Sequence, residues 1–212
     1  MISLDKLSET RRRMSEKILG FDIGHANAKH FIVTNIKPLF EAVAKAGNTE
    51  REFFGFYHSI EIVLNSNNYM MTLLTPGNII IDVLKLLDGK AASVTLLGLC
   101  GSLNPLYPVS SIVTPQYVAD SAAPSQREML NADCNNGLCT CQVEGLVQTE
   151  DFYRRLVDAG IDFVDMESYF MRKYLPEARL QTVSVVSDMP LSSPFYLDHS
   201  TTIDIDTIRS FL

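Results

Sequence analysis

The sequence predicts an α/β domain in which a mainly parallel sheet carries helices on both faces. Three observations predict it. Short apolar, β-prone runs alternate along the chain with helix-length amphipathic segments. Residues 93–99 form a predominantly apolar run of strand length, as a parallel strand covered on both faces requires. The composition, 46% hydrophobic and 20% charged over 212 residues, is globular and supplies one ordinary core.

The elements follow in order. Residues 1–28 are charged at first, through Lys6, Glu9, Arg11, Arg12, Arg13, Glu16 and Lys17, which predicts a surface helix and a loop outside the core. Residues 30–35 read as a strand. Pro38 suits the first turn of a helix over 39–46 that Gly47 stops. Residues 52–58, 59–64 and 69–74 read as strands, and 75–78 as a turn into a helix over 79–87. After the strand at 93–99 come short apolar runs at 112–114 and 117–119, then a polar stretch over 121–140. Strand 143–147, helix 152–158, helix 167–174 and strand 180–186 complete the pattern.

Charge and patterning exclude several function classes. Eighteen Lys and Arg against 25 Asp and Glu leave a formal charge of −7, so no basic field gathers nucleic acid or anionic lipid. No apolar run approaches the roughly 20 residues of a membrane span, and no apolar stretch follows Arg13 as in a secretory signal. The expectation is a cytoplasmic protein. Cys134, Cys139 and Cys141 are spaced C-x4-C-x-C, without the paired knuckles of a zinc site, and read as a flexible loop with incidental thiols. No metal or cofactor is expected; G-x-G-x-x-G and P-loop motifs are absent.

In parallel sheets ligands bind beyond the carboxyl ends of strands. Gly98 and Gly101 around Cys100 permit close backbone approach or serve a tight turn. Asp188, after the last strand, caps a turn or faces a ligand. Glu167 lies in the first turn of a helix, where a carboxylate favours the positive helix end, and Asp165 stands at or near its N-cap.

Five segments, taken in order, carry a resemblance: Leu97-Gly98-Leu99-Cys100-Gly101-Ser102-Leu103, residues 109–115, Thr149-Glu150-Asp151-Phe152-Tyr153, Val164-Asp165-Met166-Glu167-Ser168, and Val185-Val186-Ser187-Asp188. Over residues 29–212 the chain resembles the purine nucleoside phosphorylase, uridine phosphorylase and nucleosidase superfamily, and most of all its short AMP-nucleosidase-like proteins. The resemblance implies a three-layer nucleoside phosphorylase-like fold with a mixed, largely parallel sheet over 29–212; residues 1–28 are expected to be an extension before it, and the C-terminal helix is expected to be shortened relative to the family. It implies a nucleoside or nucleotide as partner and, because the family builds sites at subunit contacts, a homo-oligomer. Asp188 matches the Asp that protonates or hydrogen-bonds purine N7; an exposed Asp titrates near about 4, so burial must raise it to donate near neutrality. Glu167 matches the Glu that binds ribose hydroxyls, Met166 the apolar wall against the sugar, and Phe152 the aromatic stacked on the base. The resemblance further implies that Cys100, Gly101 and Ser187 line the base pocket.

The match also fails in places. Leu96 and Leu99 stand where family phosphorylases hold phosphate, and Thr34-Asn35-Ile36-Lys37 lacks their phosphate loop. Hydrolysis is therefore expected over phosphorolysis. The water-activating Glu of related nucleosidases has its nearest counterpart in Glu41, close to Leu39 in the first helix. Two alternatives stay open: a catalytically weakened nucleoside binder, and a phosphorylase reached by Arg51 or Arg127. Arg127, Arg154 and Arg155 are candidates for a 5′-phosphate or simply solvated surface cations. With the last helix short, either the N-terminal extension or a neighbouring subunit is expected to cover its face.

Overall fold

The computed structural model describes residues 4–26, 29–74, 80–145, 148–194 and 201–212. Helix α1 (Leu4–Leu19) leads through a 3-10 turn to β1 (His30–Thr34) and α2 (Lys37–Ala46). A meander follows, β2 (Asn48–Phe54), β3 (His58–Leu64) and β4 (Asn67–Leu73), then α3 (Ile80–Leu87) and the ten-residue β5 (Ser93–Ser102). Short strands β6 (Ile112–Val113), β7 (Tyr117–Asp120), β8 (Arg127–Met129) and β9 (Cys139–Gln142) precede α4 (Glu150–Asp158). The chain continues through β10 (Phe163–Asp165), α5 (Ser168–Tyr174), β11 (Arg179–Asp188) and α6 (Ile205–Arg209).

These strands form one mixed sheet in the order β2-β3-β4-β1-β5-β10-β9-β7-β8, with β11 and then β6 on the other side of β5. Parallel pairings hold its centre, where β5 lies between β1 and β11. The β3–β4 turn is made by Asn65 and Ser66, both at positive φ, the backbone that tight hairpins need.

Alternation along the strands makes three layers. On β1, Phe31 and Val33 face one core with α1, α3 and α5, while Ile32 faces the other with α2 and α6. Helix α4 covers a third cluster over β7, β9 and β10. No helix among the described residues is long and apolar enough to cross a membrane.

Several expectations are corrected. Residues beyond the charged start of the chain belong to the core: Leu19, Phe21 and Ile23 are buried against α3 and β1, because the apolar residues follow the charged ones at the helix end. Helix α1 therefore sits on the α3 face, and α6 packs on α2 across the sheet, with Ile208 buried. Cys139 and Cys141 are in strand β9 and fully buried, not in a loop. The strand expected at 143–147 lies earlier, at Cys139–Gln142. Residues 146–147 and the turn expected at 75–78, with residue 79 of the following helix, lie outside the described residues. Gly98 and Gly101 are within a strand, not a turn.

Candidate active site

The site arises from a gap in the pairing of β5. Strand β1 leaves β5 at the pair Thr34–Leu97, and β10 joins the same side only at Val164–Gly101, running in the opposite direction. Residues 98–100 lie between. The exits of β1 and β10 therefore point at one another across this gap, bringing Asn35 and Ile36 from one side and Asp165, Met166 and Glu167 from the other. On the far side β11 ends at Asp188, opposite Gly101. A cavity of about 360 Å³ opens here, lined by residues from all of these exits and by Tyr153 of α4.

A register shift between Val186 and Asp188 explains why consecutive residues reach the same cavity. In a regular strand Ser187 and Asp188 point to opposite faces; the bulge re-aims them, and both line the site. The Ser187 hydroxyl donates to Asp188 Oδ1 at 2.9 Å and lies 3.3 Å from the Cys100 carbonyl oxygen. Asp188 is 8% exposed.

Glu167 is placed by its neighbour. Asp165 Oδ1 accepts from the backbone N–H groups of Glu167 at 3.0 Å and Ser168 at 2.8 Å, while its Oδ2 accepts from the Thr140 hydroxyl at 2.7 Å. Asp165 thus caps α5 as the sequence suggests, and Glu167, 6% exposed, occupies the position before the helix. Its Oε1 accepts from the Asn35 side-chain amide at 3.0 Å.

The electrostatics are one-sided. Three carboxylates, Asp165, Glu167 and Asp188, and no basic residue stand among the described lining residues. Burial, reinforced by the charges of Asp165 and Asp188, pushes the Cys100 thiol well above its ordinary value. Burial and then Asp188 raise the Tyr153 phenol. Both groups stay neutral near neutral pH.

Of the expected site residues, Asp188, Glu167, Cys100, Gly101, Met166 and Ser187 come together in this cavity. Phe152 is absent from its described lining. Consecutive helical residues differ by about 100°, so Tyr153 turns inward while Phe152 sets its ring edge-on to Tyr153 and beneath the Arg155 guanidinium. Glu41 also misses the cavity: it sits exposed on α2, 3.6 Å from Lys37 Nζ, and Ile36 lines the site from that turn instead. Arg51 is held by the buried Glu61, Arg127 by the carbonyls of Ala159 and Gly160, and Arg154 by Glu150. Asn35, Val143, Tyr153 and Pro190 complete a site that the motifs alone do not give. The rule of looking beyond strand ends reaches Asn35 and Pro190; nothing in the sequence selects Tyr153 over Phe152.

No family model matches the sequence, and no curated protein matches it. Solved structures do. An AMP nucleosidase from Bacteroides thetaiotaomicron superposes with a TM-score of 0.66 at 12% identity, over 88% of this chain and 90% of that one. Futalosine hydrolase of Helicobacter pylori, as a mutant, gives 0.65 at 10% identity over 78% and 90%. The 5′-methylthioadenosine/S-adenosylhomocysteine nucleosidase of Campylobacter jejuni gives 0.63 at 10% identity over 86% and 92%. The chain has the nucleosidase fold.

Within that nucleosidase fold the departures noted in the sequence take physical form. Leu96 is buried at 2% exposure and Leu99 lines the cavity, and neither side chain offers a donor to an anion. The nucleosidase fold is thus kept with an acidic and apolar site.

Proposed function

We propose that the protein hydrolyses the N-glycosidic bond of a purine nucleoside. The observation that carries this reading is the convergence of Glu167 and Asp188, from separate elements, on one cavity without a basic residue among its described lining. In the reaction the oxygen of water bonds to C1′ as the bond from C1′ to the base breaks, and the water gives up a proton to the Glu167 carboxylate. The electron pair goes to the base, and Asp188 supplies the proton to N7. Glu167 holds the ribose hydroxyls and, with Glu41 away from the site, is the carboxylate that holds the attacking water beneath the sugar. Its negative charge also stabilises the positive charge that develops on the ribosyl ring. The absence of a cation in the described lining favours water over phosphate as nucleophile and an uncharged 5′ group over the phosphate of AMP.

One observation favours a second reading. Glu41 pairs with Lys37 outside the cavity, and Ile36 and Leu99 give it apolar surface, as in a family member that binds nucleosides with weakened turnover. A nucleoside-bound crystal structure separates the two: water beneath the sugar at Glu167 supports hydrolysis, and a dry apolar floor supports binding. Incubation with adenosine, inosine, methylthioadenosine and AMP, with and without phosphate, tests the substrate directly.

We also assign the protein to the cytoplasm as a homo-oligomer without a nucleic-acid partner. Four unpaired cysteines suit a reducing compartment. Leu106, 80% exposed, and Leu99, 39% exposed, are apolar surface that an assembly would cover. Light scattering of the purified chain tests the assembly.

A further inference from the structure

The geometry points to Asn35 as a positioning residue for Glu167, one that fixes the carboxylate against the sugar while leaving its negative charge whole; this deepens the nucleosidase reading and rests on it. Asn35 stands directly beyond β1, where the chain is pinned. The Thr34 carbonyl accepts from the Leu74 N–H at 2.7 Å, and the Thr34 hydroxyl accepts from the Ile36 N–H at 3.2 Å. From this fixed exit the Asn35 amide reaches across the gap in β5 to Glu167 Oε1 at 3.0 Å.

The residue type matters. A lysine or arginine there would hold the carboxylate and cancel its charge, which is what stabilises a cationic transition state. A neutral amide holds it without cancelling it. A side-chain amide presents donors at one end and an acceptor at the other, so facing Glu167 with its nitrogen commits the orientation of the whole group. With Glu167 only 6% exposed, such a bond fixes the carboxylate more firmly than it would in water. Among the described lining residues the other titratable groups around the pair are Asp165 from β10, Asp188 from β11, Tyr153 from α4 and Cys100 from β5, and none is basic. Asp165 is engaged with Thr140 and the start of α5, and Tyr153 and Cys100 titrate above their ordinary values.

The test uses Asn35→Ala and Asn35→Asp with whichever nucleoside the wild type cleaves. Asn35→Ala should lower kcat about 10- to 100-fold with KM changed little and the melting temperature close to wild type. Asn35→Asp should behave differently with pH. At low pH the introduced carboxyl and Glu167 share a proton and the hydrogen bond survives, so activity relative to wild type stays high. As pH rises that proton leaves, two negative charges about 3 Å apart repel, and relative activity falls. Asn35→Ala shows no such pH-dependent ratio. Unchanged kcat, or equal loss in both variants at every pH with a lowered melting temperature, overturns the proposal. If the wild type releases no base from any nucleoside, the nucleosidase reading fails separately. Crystal structures then decide the positioning role: a displaced Glu167 carboxylate in Asn35→Ala supports it, and an unmoved one overturns it.

Discussion

Asp165 Oδ1 receives the backbone N–H of Ser168 at 2.8 Å, so a buried carboxylate at the end of a three-residue strand caps the helix before which Glu167 stands. The same side chain ties this cap to β9 through the Thr140 hydroxyl. Capping and site geometry therefore depend on one residue.

Asp165→Ala should destabilise the fold by about 2 kcal/mol, from the lost cap and the orphaned Thr140 hydroxyl, and should also lower kcat by releasing Glu167. Asp165→Asn keeps an acceptor for the helix and should lose less of both. Urea denaturation beside steady-state kinetics checks the pair.

The two glycines flanking Cys100 should respond differently to alanine. A Cβ on Gly101 would meet Pro190 Cγ at 2.9 Å and Val164 Cγ2 at 3.0 Å, where β5 approaches both neighbours of the cavity. On Gly98 the nearest atom is Ser184 Oγ at 3.7 Å, an ordinary contact. Gly101→Ala should cost about 1–3 kcal/mol through overpacking and perturb nucleoside binding. Gly98→Ala should leave stability near wild type in the same denaturation experiment.

Thiol reactivity should separate the cysteines. Burial pushes Cys139 up to about 11 and Cys141 up to about 12, and Cys100 is also raised. A raised thiol pKa means less thiolate at a given pH, so at pH 8 iodoacetamide should leave these three unmodified in the native state. Partly exposed Cys134 should react first. Mass spectrometry of tryptic peptides, before and after denaturation, reads the order.

Much of this architecture is legible in the sequence, and the exceptions have causes. The apolar run that becomes β5 and the Pro38–Gly47 bracket around α2 are strong local signals. Strand β9 is hidden because it is only four residues long and follows directly on a polar, Asn-rich stretch; inside, Thr140 donates to Asp165 and the Gln142 side-chain oxygen accepts from the Phe170 N–H. Strand β10 is too short to show a period, and its last residue doubles as a helix cap. In the site, Glu167 and Asp188 are readable from motif order. Tyr153 is not, because a difference of one position on α4 decides which ring turns inward. Asn35 lies at a strand end where a ligand is expected, yet its partner is 132 residues away, and only the fold supplies that contact.

The most direct test of the account is free-base release by wild type and Asp188→Asn in phosphate-free buffer, followed by chromatography with adenosine, inosine and methylthioadenosine. Release from at least one nucleoside, unchanged on adding phosphate and lowered about 10²- to 10⁴-fold by Asp188→Asn, is the predicted result. Release that requires phosphate, or no release while calorimetry detects bound nucleoside, would contradict it.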